Sequence, residues 1–397
     1  MSHRLLFYFE DTLIGDINKI AKNRHLEETL KSEATSQTAD TFTFSVNWKL
    51  FQRFIESKVE GEAKDFLKVG KTRIVLETTK ENKYVRFAGW LAARPARSGA
   101  GANQELSLTF YEYFARLAGD LVCDASNPLD PYVRVEKAAD LWVKDFIDQF
   151  IDHAEAAGET LNWDYGTVNT LALKEKTYKD FQTIAKAFCD AMNNVTGAGK
   201  FDIVFRTDPE DYTHQYIDIL KPRGSVKPVT IRFPADGVYK LWASDFSIEE
   251  TNDYASAVLV AGNGQVGDVS EGEQTANLGT AEDTDFAQEY CYWRTYITRS
   301  DLESQNAVDS AATTELAARA FNKETPDIRL IGRPIEWGNA ENQNNGLALG
   351  DTFYFSEETD DLDNNSGYYR IIGISTDWDD NGVETVRPKL IPVEVTP

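Results

Sequence analysis

From Thr41 to Trp48 the chain reads TFTFSVNW, with Phe42, Phe44, Val46 and Trp48 at every second position. A strand with one buried face needs that period, because successive side chains leave it on opposite sides. The stretch KTRIVLETTKENKYVRFAGWL predicts a hairpin with KENK as its polar turn, and ELSLTFYEYF predicts a further strand running into a short helix. Residues 12–31 predict a helix by composition. Strands separated by turn signals over residues 1–122 predict a small antiparallel barrel or sandwich.

The period changes after SNPLDP. Val133–Ala157 places Val135, Ala139, Trp142, Phe146 and Phe150 at three- and four-residue steps, and 177–193 does the same with Tyr178, Phe181, Ala185, Phe188 and Met192. Both predict amphipathic helices. Gly197 and Gly199 end the second, FDIVFRT predicts a strand, and this α+β segment (123–235) closes near KPRGSVKP and FPADG. Strands return from residue 236 in ASAVLVAG and YCYWRTYIT. SDLE then reads as a capping box in which Ser300 caps the Glu303 amide while Glu303 reaches back to open a helix. The end of the chain predicts a hairpin around DDNG and the strand VETVRPKLI. The expected fold class is α+β, mainly β: two related antiparallel β-barrels, over 1–122 and within 236–397, flanking and interleaved with α+β domains.

The relation between the barrels rests on a repeat whose second copy lies in 327–397. LKVGKTRIVL (67–76) matches LALGDTFYF (347–355), each with an apolar lead, a Gly, a polar pair and a strand-forming run. Gly70 is followed by Gly89 in YVRFAGWLA, and Gly350 by Gly373 in YYRIIGIST. Each second part places Tyr, then Arg86 or Arg370, two apolar residues and the Gly.

Composition narrows the function. The 397 residues carry 65 acidic against 41 basic side chains, a formal charge of −24. Binding DNA through released counterions needs Lys/Arg clusters, so no stable nucleic-acid binding is expected. Cys123, Cys189 and Cys291 form neither a metal motif nor a disulfide framework, in keeping with synthesis in a reducing cytoplasm. No stretch approaches 18 apolar residues, so no transmembrane helix is expected.

Candidate chemistry is sparse. GNGQVG (262–267) lacks the helix that would hold a pyrophosphate, and GKT (70–72) lacks the first Gly of a phosphate loop. The histidines His3, His25, His153 and His214 form no HExxH, and no GxSxG occurs; His153 reads as part of a solvated helix face. Paired carboxylates for glycoside hydrolysis remain open, because the chain offers too many acidic residues to select a pair. The eight tryptophans are scattered and read mostly as core. Two acidic loops are weak calcium candidates: Asp361 and Asp363 in TDDLDNNSG, and Asp377 and Asp379 in DWDDNG. Both lack the distal Glu of a tight site, and Asn381-Gly382 is also a hairpin signal. No catalytic or cofactor-binding residue is expected.

Taken in order, FLKVGKTRIVLE, YVRFAGWLAARPARS, ELSLTFYEYFARL, DFSIEETNDYASAVLVAGNG, TELAARAFNKETPDIRL, LALGDTFYF and GYYRIIGIS span nearly the whole chain. In that order they resemble the baseplate hub family of tailed phages, which includes the tail-associated lysin (Tal) proteins. The resemblance implies a virion tail-tip protein with no enzymatic activity. In it a homotrimer lays two tube-like barrels per copy in a pseudo-six-fold ring on a hexameric distal tail (Dit) or tail-tube protein. That ring closes the tail and opens for DNA release. Receptor-binding and tape-measure proteins are further implied partners. Many Tal proteins carry a C-terminal peptidoglycan-cutting domain; PVEVTP directly after the second barrel implies the hub alone. A cell-wall hydrolase and a receptor- or glycan-binding tail protein are the competing readings.

Overall fold

The alternation at residues 41–47 is a strand because Phe42, Phe44 and Val46 enter one core while the residues between them are only half-buried. The computed structural model describes residues 3–31, 39–78, 84–93, 95–99, 104–122, 132–171, 173–178, 180–192, 201–221, 224–233, 243–250, 255–264, 276–289, 292–299, 302, 304–319, 324–331, 347–357, 366–379 and 384–393. Two compact units are present, one of Met1–Asn193, Ala198–Phe246 and Asp327–Pro397, the other of Asn194–Gly197 and Ser247–Pro326.

The larger unit begins with β1 (His3–Phe9), β2 (Thr12–Asp16), β3 (Ala21–Thr29), β4 (Thr41–Asn47), α1 (Trp48–Glu56), β5 (Thr72–Thr78), β6 (Tyr84–Leu91), β7 (Ala96–Ser98) and β8 (Glu105–Glu112). Asn47 caps α1 by accepting from the amides of Lys49 and Leu50. This fixes where the strand ends and sends Phe51 and Ile55 into the same core. The helix expected over 12–31 is instead two strands. β2 pairs with β1 and β3 with β4, and a bulge between Lys22 and His25 lets Ala21 and Leu26 both reach the core. Cross-strand pairing overrides the local composition here.

The α+β segment follows: α2 (Phe114–Ala118), β9 (Leu121–Val122), β10 (Val133–Ala138), α3 (Ala139–Ala156), β11 (Trp163–Val168), β12 (Leu173–Tyr178), β13 (Gln182–Thr183), α4 (Ile184–Met192), β14 (Asp202–Thr207) and β15 (Gln215–Leu220). Its two helices are shorter than predicted. Val133–Ala138 pairs antiparallel with β12, so the first helix starts only at Ala139. Tyr178 belongs to β12 and Phe181 is exposed, so the second helix starts at Ile184. Trp142, Phe146, Tyr178, Phe188 and Phe201 fill one core with α2.

β16 (Val226–Phe233) is followed by β17 (Ala243–Glu250), which runs from the larger unit into the smaller at residue 247; the smaller unit also holds β18 (Ala257–Ala261), β19 (Leu278–Glu282), α5 (Thr284–Glu289), β20 (Arg294–Thr298) and α6 (Gln305–Arg319). Val258, Val260, Val308, Ala311 and Ala312 form its core. The predicted cap residues Ser300 and Glu303 lie outside the described residues. Helix α6 opens later, and Ser304 Oγ accepts from the Ala307 amide at 3.3 Å. The chain returns to the larger unit at Asp327, within β21 (Glu324–Ile331), and completes it with β22 (Thr352–Glu357), β23 (Gly367–Trp378) and β24 (Glu384–Pro392).

The duplication is visible in strand order. Apart from β2, which extends the first set beyond β1, and β7, which pairs with β8, the first set is ordered β1-β5-β6-β8-β4-β3 and the second β16-β22-β23-β24-β21-β17, the same permutation of chain order in each. One strand differs in direction, since β1 is antiparallel to β5 while β16 is parallel to β22. The mainly-β class holds, but among the described strands the sets do not form two closed barrels. β3 pairs with β23, from Gly373↔Thr29 to Trp378↔Arg24, and joins them in one 14-stranded sheet.

Gly70 (φ 76°) and Gly350 (φ 87°) both take the left-handed turn conformation that favours glycine. Their amides donate to Leu91 at 3.4 Å and Ile371 at 2.8 Å, and those residues pair with Phe110 and Leu390. The first part of the sequence repeat is therefore a true structural match. The second part is out of step: Leu91 lies two residues after Gly89, whereas Ile371 lies two before Gly373. The hairpin register, anchored at Gly70 and Gly350, overrides the YxRxxG likeness.

A buried ion cluster ties the first strand set to the α+β segment. Lys31 Nζ lies 2.7 Å from Asp40 Oδ1 and 2.6 Å from Glu112 Oε1, the latter an ion pair without hydrogen-bond geometry. The Lys31 amide donates to Asp202 Oδ1 at 2.9 Å. Burial alone would favour a neutral Lys31, but the charges of Asp40 and Glu112 outweigh it and raise its proton affinity. Burial, reinforced by Asp40, pushes the Glu112 carboxyl up from 4.5 to about 8. Between pH 4.5 and about 8 the folded chain binds a proton that the unfolded chain has released. This contribution to stability is full below pH 4.5 and is lost as pH rises through 8. Glu112→Gln, neutral throughout, should flatten the fall in melting temperature over this window. An unchanged slope in thermal melts would place the proton elsewhere.

Candidate functional site

The seam between the strand sets concentrates the polar chemistry of the larger unit. Arg86 on β6 is 4% exposed at its side chain and donates from Nε and Nη2 to Glu28 Oε2 on β3, at 3.0 and 2.6 Å. It also donates from Nη2 to Thr376 Oγ1 at 2.9 Å and from Nη1 to Glu384 Oε1 at 3.3 Å, both in the second set. A guanidinium suits this place because its fixed fork serves several acceptors at once. Two side chains cross the seam in opposite directions. Trp378 of β23 packs in the core of the first set, 6.1 Å from the Phe42 ring, and Leu30 packs in the core of the second. Arg370, which the sequence pairs with Arg86, has another role: its Nε donates to Gly350 O at 3.2 Å. Only the motif's buried-strand context hinted that Arg86 needed acceptors.

The calcium candidates divide. Asp361 and Asp363 lie outside the described residues. Asp377 sits within β23, opposite His25 in the ladder, with its Oδ1 2.8 Å from His25 Nδ1. His25 Nε2 is in turn 3.5 Å from Glu27. Asp379 follows the end of β23. Among the described residues no three His, Cys, Asp or Glu side chains converge as a metal site. In GNGQVG the amides of Gly262 and Asn263 donate to Asn277 O and Leu302 O, both at 2.8 Å, so neither is free for a phosphate. His153 Nδ1 lies 3.3 Å from Asp120 Oδ2, a partner that its helix neighbours do not reveal. Trp142 and Trp378 are core residues as expected, whereas Trp293 is 60% exposed beside exposed Tyr292 and Tyr296. Trp242 and Trp337 lie outside the described residues.

A cleft of about 470 Å³ opens on the first strand set, lined by Lys64, Asp65, Leu67, Lys68, Val69, Pro95, Arg97 and Leu106. Three of the lining residues are basic and one is acidic, and Lys64 is paired with Glu62 beside the cleft at 2.6 Å. Arg97 on β7 lies over the Trp48 ring at 5.6 Å, which holds it at the edge of the cleft.

Removing Arg86 takes from Glu28 and Glu384, 15% and 11% exposed at their side chains, the guanidinium that bridges them. Arg86→Ala should therefore cost about 3 kcal/mol of unfolding free energy in urea titration. A loss below ~1 kcal/mol, comparable to that of a surface ion pair, would mean that the seam does not depend on this residue.

No family model matches the chain, and no curated protein matches it in sequence. Among solved structures, it is similar to the 43 kDa tail protein of prophage MuSo2 from Shewanella oneidensis. That similarity has a TM-score of 0.63 and 10% identity over 97% of this chain and 98% of that one. It is also similar to the tail protein from Neisseria meningitidis MC58, with a TM-score of 0.58 and 10% identity over 99% and 97% of the two chains. At that identity the likeness is one of fold, and over nearly its whole length the chain has the fold of these two tail proteins.

Proposed function

We propose that the protein is a structural component of a phage tail tip or baseplate, working as a homotrimeric hub in the virion. The observation that carries this reading is one strand order built twice in a chain and joined edge to edge by β3 and β23. Three chains with two such sets present six similar units, so a three-fold ring matches a six-fold partner such as a hexameric distal tail or tail-tube protein. Dimers and tetramers lose that match. The hub closes the distal end of the tail tube and opens for DNA release, and its net charge of −24 keeps passing phosphates from binding. Receptor-binding and tape-measure proteins are its further partners. The role is structural rather than enzymatic. Calcium, where bound, is held weakly: Asp377 would exchange its His25 contact for the ion, and neither loop has the distal Glu.

Repulsion between copies is long-ranged. The screening length falls from about 30 Å at 0.01 M salt to about 8 Å at 0.15 M, so trimer content should rise with salt and with the distal tail protein present. Mass photometry over a salt series is the measurement. A stable dimer, or six copies of this chain in the assembled tip, would sink the reading.

A further inference from the structure

We infer that the open face of the three-stranded sheet in the smaller unit is a saccharide-binding platform, built on Tyr292 and Tyr296, that takes a neutral pyranose chain. It goes beyond the hub reading and stands or falls without the ring.

The register of this sheet, ordered β19-β18-β20, separates its two faces. Val258 and Val260 of β18 close one face against Val308, Ala311 and Ala312 of α6. On the other face Ala257 lies between Glu282 of β19 and Arg294 of β20, and Leu259 lies between Thr280 and Tyr296. Arg294 Nη2 reaches across Ala257 and donates to Glu282 Oε1 at 3.3 Å, as residues on one side of a sheet can. The Arg294 guanidinium also lies 5.8 Å from the centre of the Tyr292 ring. Tyr296 follows two residues later on the same side, about 7 Å along the strand. The middle strand contributes small or half-buried side chains here, while these residues of both outer strands are exposed. The face is therefore a shallow trough with rings along one wall.

Tyr292, Trp293 and Tyr296 are 57%, 60% and 53% exposed, and large rings left in water over so short a stretch mark a contact surface. The stretch is held rather than loose. The Ser256 and Ala257 amides donate to Trp293 O at 2.9 and 3.0 Å, and the Trp293 amide donates to Ser256 Oγ at 2.7 Å. Tyr292 and Arg294 leave the chain on either side of that clamp, so little freedom is lost when a ligand settles on them.

The chemistry of the face selects the ligand. The face of an aromatic ring is the negative part of its quadrupole, and it attracts the weakly positive C–H groups of a pyranose. The hydroxyls of that sugar need donors and acceptors close by. The Arg294 guanidinium donates, the Glu282 carboxylate accepts, and the Thr280 hydroxyl does both. A protein-binding patch keeps charged groups out of its centre, whereas here Arg294 stands between the two tyrosines with its charge paired. Because that pair balances itself on a chain of net charge −24, the ligand that fits is neutral rather than anionic.

The test is titration of the full chain with neutral oligosaccharides of gluco, galacto, manno and rhamno configuration, followed by calorimetry. Hyaluronan and polyglycerol phosphate serve as anionic comparators. At least one neutral saccharide should bind, and Tyr292→Ala with Tyr296→Ala should weaken it at least tenfold. Tyr292→Phe with Tyr296→Phe, which keeps both rings, should retain most of the affinity. Tyr132→Ala, at a ring just as exposed elsewhere in the chain, should change nothing. Matching thermal melts would show that the variants fold. The inference is wrong if no neutral saccharide binds at millimolar concentration, if the anionic polymers alone bind, or if binding survives the loss of both rings. It is equally wrong if the double alanine variant alters only self-association in mass photometry, which would make this face a contact between copies. The trimer content of the wild type in the same measurement judges the ring separately.

Discussion

The backbone ladder between β3 and β23 is the constraint on which the larger unit depends. An edge strand presents a row of unpaired amides and carbonyls, and a protein must cover it, blunt it or pair it. Here the edge of the first strand set is paired by the middle of the second, through residues 24–29 and 373–378. The exchange of Trp378 and Leu30 across the seam follows from that pairing, because a ladder joining two strand sets brings the ends of its strands against both cores. The ladder also explains why β23 runs 12 residues: its first part serves β22 and its last part serves β3.

Two buried ion clusters reinforce separate junctions of the same unit. Arg86 spans the seam between the sets, and Lys31 spans the first set and the start of β14. Buried charges of this kind add little to net stability relative to a well-packed apolar replacement, because their desolvation offsets their attraction. They do penalise misplacement heavily. A slip of the β3–β23 register would part Arg86 from Glu28 or Glu384, so this cluster favours one arrangement of strands over its neighbours.

The groups that looked like chemistry in the sequence are largely occupied with folding. The amides of the Gly262 loop close a turn against Asn277 and Leu302, Asp377 faces His25 across a ladder, and His153 meets Asp120. Arg86 is the reverse case, a residue noted only as part of a repeat motif that turns out to hold the seam. Its acceptors lie 58 and 298 residues away in the chain, and no local pattern shows such distances.

The sequence by itself determined what local periodicity and turn chemistry control. TFTFSVN could bury one face only as a strand, and Gly70 and Gly350 marked two turns of the same kind; Trp48, read with that strand, instead opens α1. Acidic composition likewise set the character of the surface. The tertiary structure decided everything that depends on a partner strand. Residues 12–31 became strands because β1 and β4 were there to pair with them, and Val133–Ala138 left the predicted helix because β12 was available. It also decided that Gly89 and Gly373, alike in sequence, stand at different levels of their sheets. Strand register is set by hydrogen bonds between segments far apart in the chain, and a local motif can be satisfied at more than one register.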